Sequence, residues 1–259
     1  METASGIGEA SAIRVLGESV GVAVAGFLVG IVFTFVAAAA LLATGVPLLE
    51  QPIYEIVVSV VMLQGFGFGS VALGYIYFSR HGFDLLWLRV PTLSDVIWTV
   101  LGLVGLFVAL IALNLTLITF GIESAEHSIV GLGGENPEIL LVMIPLSILL
   151  IGPGEELLFR GVIQRILVDR FGIWVGIAVA SVIFSVAHVG ALVATDPAQL
   201  VSTLGIYVAL SLILGGVYER TGNLVVPSVI HGLFNAIQFG LLYYTLTRDI
   251  DLATLLVVG

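Results

Sequence analysis

Seven mostly apolar runs succeed one another along the 259-residue chain, each close to or beyond the length that crosses a bilayer. A spanning helix needs about 20 such residues. The runs predict spans at 20–44, 56–78, 96–120, 139–167, 172–189, 199–218 and 224–245. In lipid, backbone polar groups have to be satisfied inside the segment. The architecture implied is therefore all-α, a polytopic transmembrane bundle of seven spans. The last residues, "IDLATLLVVG", are apolar but too short to span. They are expected to form a short eighth helix or to lie at the interface.

Composition supports this reading and removes several functions. Hydrophobic residues make up 59% and charged residues 10%, against about 45–50% and about 25% in soluble domains. No polar stretch is long enough for a soluble domain. With no cysteine, disulfides, thiolate metal sites and cysteine nucleophiles are excluded. All eight basic residues are arginine, and the net charge is −10. That balance argues against nucleic-acid binding and suits a halophilic prokaryote with a salt-rich cytoplasm. The stretch "METASGIGEASAIRVLGESV" lacks the basic start of a secretory signal, so the first run is expected to be a retained helix.

Arginine placement sets the expected orientation in the cell membrane. A cytoplasmic N-terminus puts Arg14, Arg80, Arg89, Arg165, Arg170 and Arg220 at cytoplasmic ends and leaves Arg248 outside. The loop carrying Glu123, Glu126, Glu135 and Glu138 has no arginine and is assigned outside, as is the C-terminus.

A few polar residues fall inside the apolar runs. An ionisable group at the centre of a membrane helix costs at least about 2.5–3.5 kcal/mol, so it normally faces a protein interior or a wet cavity. Glu155, Glu156 and Arg160 lie in the fourth run, just after Gly152-Pro153-Gly154. On a helix Glu156 and Arg160 are one turn apart and pair, while Glu155 points about 100° away. Gly152-Pro153-Gly154 is expected to loosen the helix there, as backbone lining a cavity does. His188 ends the fifth run. His231 and Asn235 share a face of the seventh.

These residues admit more than one chemistry. A carboxylate beside an imidazole holds a water and takes its proton. An imidazole N–H with a carboxamide N–H stabilises a developing oxyanion. Glu155, His188, His231 and Asn235 together then suffice to hydrolyse a peptide bond without a covalent intermediate. No nucleophile elbow competes with that reading. Glutamates and histidines on separate helices also make a possible zinc shell, although H-E-x-x-H is absent. The same groups serve equally as a buried polar network in a non-catalytic immunity or scaffold protein. A proton-coupled transporter predicts inverted repeats, and none is evident.

The motifs Glu155-Glu156-x-x-x-Arg160, Phe184-x-x-x-His188 and His231-x-x-x-Asn235 occur in that order on consecutive apolar runs. The set resembles the CPBP family of intramembrane glutamic endopeptidases, also called CAAX or Abi proteases, over about 139–240. The resemblance implies Glu155 and His188 as water activators, His231 and Asn235 as the oxyanion site, and Glu156 and Arg160 as supporting residues. It implies no cofactor, with zinc as the alternative, and a peptide or protein substrate met at the lipid bilayer. The expected division is 1–138 for three helices and an acidic loop, 139–245 for the CAAX-protease-like catalytic core, and 246–259 for a short C-terminal segment. Family members include enzymes cutting after a prenylated cysteine and proteins linked to bacteriocin processing or immunity, so chemistry transfers better than substrate.

Overall fold

The computed structural model describes residues 12–79 and 82–248. Seven helices are long and apolar enough to cross a membrane: α1 (Ala12–Ala43), α2 (Pro52–Phe78), α3 (Leu93–Thr119), α5 (Glu138–Phe171), α6 (Ile173–Ala191), α7 (Pro197–Thr221) and α8 (Val225–Thr247). A short α4 (Ser128–Glu135) lies in the acidic loop. Among the described residues the all-α fold therefore has eight helices, with a single two-stranded ribbon added. In that ribbon β1 (Glu126–His127) pairs antiparallel with β2 (Leu192–Val193), His127 opposite Leu192. The expected spans are all present, several of them longer at one end. The suggested C-terminal helix lies outside the described residues beyond Arg248.

Local chemistry fixes where the helices begin and turn. Thr92 and Asp95 form a reciprocal capping box at the start of α3. Arg89 pairs with Asp95 and also donates to the Thr221 carbonyl, tying α3 to the end of α7. Asp196 caps α7 by accepting from the Ala198 and Gln199 N–H groups, and Pro197 takes the first turn, where its missing N–H costs least. Gly172 adopts φ +81°, which lets the chain pass from α5 to α6 through one residue.

Burial separates inner from outer helices. In the most apolar windows of α1, α2 and α3, 17–22% of residues are buried, against 39–44% in α5, α7 and α8. The outer helices leave apolar faces for lipid, while α5, α7 and α8 meet one another. Glycine permits that approach. A Cβ on Gly152 would lie 2.6 Å from the Ser228 carbonyl oxygen of α8. A Cβ on Gly154 would strike the Gln64 carbonyl of α2.

Gly152-Pro153-Gly154 does not break the fourth span; the helix is loosened on either side of it instead. The helix continues through Gly152–Glu156 and widens to π-helical turns on either side, Ser147–Ile151 and Leu157–Gln164. The glycines serve close packing, and the backbone adjusts by widening, which keeps its hydrogen bonds inside the span.

Candidate active site

Glu155 and Glu156 are adjacent on α5, so their carboxylates leave the helix in different directions. Glu155 is 6% exposed and Glu156 fully buried. Glu156 Oε1 lies 3.0 Å from Arg160 Nη1 and 2.8 Å from His231 Nδ1. One carboxylate thus bridges its own helix and α8. Arg160 continues outward: Nη2 donates to Ser211 Oγ of α7 at 2.9 Å, and the guanidinium sits 4.5 Å from the centre of the Phe184 ring of α6. A charge buried this deeply stays charged only with such partners.

Gln164, one turn beyond Arg160, donates to the Gly215 carbonyl and to Glu219 of α7. Residues 160 and 164 of α5 therefore meet 211, 215 and 219 of α7 in a polar ladder that Glu156 extends toward α8. Sequence reasoning found Glu156 and Arg160 but missed Gln164, Ser211 and Glu219. The repeated four-residue spacing of 156, 160 and 164 was the available signal.

Glu155 stands apart from that ladder. Its Oε2 lies 3.7 Å from His188 Nε2 and 3.8 Å from His231 Nε2, and it has no hydrogen-bond partner among the described residues. The tautomers follow from the other ring nitrogens. His188 Nδ1 is 2.8 Å from the Phe184 carbonyl, which only accepts, so Nδ1 carries the proton. In the neutral ring, Nε2 then presents a lone pair. Glu155 Oε2 and His188 Nε2 are two acceptors facing each other, and a water donating one O–H to each fits that chemistry. His231 Nδ1 donates to Glu156, which aims its Nε2 at Glu155.

Phe184 explains the spacing of its motif with His188. Its carbonyl fixes the imidazole, and its ring supports Arg160 while lying 4.5 Å from the His188 ring. On the other side Tyr207 of α7 packs edge-on against His188 at 5.2 Å between centroids. Tyr207 was not evident from sequence, because a tyrosine in an apolar run carries no motif. Asn235 sits half-buried one turn beyond His231. No hydrogen bond among the described residues joins it to Glu155, His188 or His231. The structure thus brings Glu155, His188 and His231 together and leaves Asn235 beside them on the same helix. Among the described residues no group of three or more His, Asp and Glu side chains is arranged to hold a metal ion.

The cluster coincides with a known sequence family. Residues 137–237 match the family model described as Type II CAAX prenyl endopeptidase Rce1-like. This stretch is similar to the Rce1-like CAAX protease family, the same family as CPBP and Abi. The Rce1-like region contains Glu155, Glu156, Arg160, His188, His231 and Asn235. It excludes α1 to α3 and the acidic loop up to Asn136. No curated protein and no solved structure matches the chain.

Proposed function

We propose that this membrane protein is an intramembrane endopeptidase of glutamic type. The observation that carries the reading is the unpartnered Glu155 Oε2, held 3.7 Å from a His188 Nε2 whose lone pair faces it. Water between them is polarised by two acceptors. Its oxygen attacks the peptide carbonyl carbon while its proton passes to the pair, and the C–N bond then breaks as the amine takes a proton back. His231, in its cationic form, donates from Nε2 to the tetrahedral oxyanion, and Asn235 adds a carboxamide N–H. Glu156 and Arg160 hold His231 and α5 in place.

The proposed substrate is a peptide or protein segment at the membrane. The proposed orientation places the N-terminus in the cytoplasm. Arg89 with Thr221, and Arg165 with Trp87, gather at one end of the bundle. His188 lies at the opposite end of α6, beside the acidic loop.

Comparison of membrane peptides from cells carrying wild-type or Glu155→Ala protein tests the proposal. Products present only with wild type support it. Identical peptide profiles at equal protein levels contradict it.

A further inference from the structure

The acidic loop brings a third histidine to the proposed site, from outside the Rce1-like region. Two backbone attachments put it there. β1 pairs with β2, so His127 lies opposite Leu192, four residues past His188. The Ala125 N–H, two residues before His127, donates to Thr203 Oγ1 of α7 at 2.8 Å. Thr203 and Tyr207 are one turn apart on the same face of α7, and Tyr207 packs on the His188 ring. One helix face therefore seats both the loop that carries His127 and the imidazole that flanks Glu155. The loop is held further by Gln199, which donates to Glu123, and by Ser202, which donates to the Glu123 carbonyl.

The His127 ring is also oriented. Its Nδ1 accepts the Ile129 N–H at 3.2 Å and caps α4. The proton of the neutral ring is then on Nε2, which has no hydrogen-bond partner among the described residues. The result is a neutral N–H donor on the loop that pairs with the segment just past His188. Burial first, and the neighbouring His188 imidazole second, push the His127 imidazole down to about 4, so the ring is neutral near pH 7. A neutral imidazole polarises a carbonyl without placing a fixed positive charge beside a base that has to accept a proton.

We propose that His127 is a further substrate-binding residue of this site, donating from Nε2 to a backbone carbonyl of the extended peptide next to the scissile bond. The inference rests on the endopeptidase reading. It deepens that reading by making the acidic loop part of the site.

The test uses full-length protein in detergent micelles and a mixture of internally quenched hydrophobic peptides, with wild type, Glu155→Ala, His127→Leu and His127→Gln compared. His127→Leu removes the donor and is expected to lower kcat/KM by about tenfold or more. His127→Gln keeps an N–H donor of similar reach and is expected to stay within about threefold of wild type. Melting temperatures of both variants separate loss of the donor from loss of the fold. If wild type cleaves, Glu155→Ala does not, and His127→Leu cleaves as fast as wild type, the proposal is overturned and the endopeptidase reading stands. Equal loss in the folded Leu and Gln variants also overturns it, since the donor is then not what matters. No cleavage by wild type removes both readings at once, an outcome distinct from either of the others.

Discussion

Glu155 and Glu156 share a chemical identity and a helix, yet their surroundings give them opposite tasks. Glu156 is tied through Oε1 to both Arg160 and His231, although its Oε2, like that of Glu155, has no hydrogen-bond partner among the described residues. Removing one partner from such a buried network strands the others, at a cost of about 3–5 kcal/mol. Glu156→Ala and Arg160→Ala are therefore expected to lower the denaturation midpoint sharply in thermal or denaturant melts. Glu155 makes no hydrogen bond through Oε2, and burying it unpartnered costs stability. Glu155→Ala is expected to leave stability unchanged or slightly raised, while lowering peptide cleavage by about 10²–10⁴-fold. Strong destabilisation by Glu155→Ala would instead mark it as a structural group. The divergence of the two glutamates was legible in the sequence, because adjacent helical positions point about 100° apart. The bridge from Glu156 to His231 was not, because it depends on how α5 meets α8.

That meeting is settled at the scale of elements. Gly152 of α5 packs on Gly232 of α8, and a Cβ at Gly232 would lie 2.8 Å from the Ser147 carbonyl oxygen of α5. Gly232→Ala is expected to push the helices apart and cost about 1–3 kcal/mol. It also moves His231, its immediate neighbour, so cleavage should fall more than stability alone accounts for. Activity assays at a temperature where the variant is fully folded check this. The existence and order of the spans were readable from apolar run length. The π-helical widening around Gly152-Pro153-Gly154 was not, since glycine and proline there are equally compatible with a break. The β1–β2 pairing was also hidden, as two-residue strands leave no periodic trace. His127 on that ribbon gives a pH prediction. Its pKa is about 4 when folded, against roughly 6.5 when unfolded. Between those values the unfolded chain binds more protons, so the contribution is present above about 6.5 and is lost as pH falls toward 4. Hydrogen exchange of the 125–130 amides should quicken from pH 7 to pH 5 beyond the intrinsic change, and less so in His127→Gln.

For the whole molecule, the polar groups of the candidate site come from α5, α6, α7 and α8. Glu155, His188 and His231 come from three helices, yet their grouping was anticipated from three short motifs in a fixed order. Asn235, placed by the same motifs, stands one turn away without a hydrogen bond to the others. A metal-free mechanism predicts that chelator treatment leaves cleavage unchanged, whereas activity removed by chelator and restored by zinc favours the metalloprotease alternative. The central claim is that Glu155 and His188 together activate water. Its most direct measurement is cleavage of internally quenched peptides, prenylated CAAX peptides included, by purified wild type, Glu155→Ala and His188→Ala. The account predicts cleavage by wild type and loss of it in both variants, with both remaining folded. Full activity in either folded variant would contradict it.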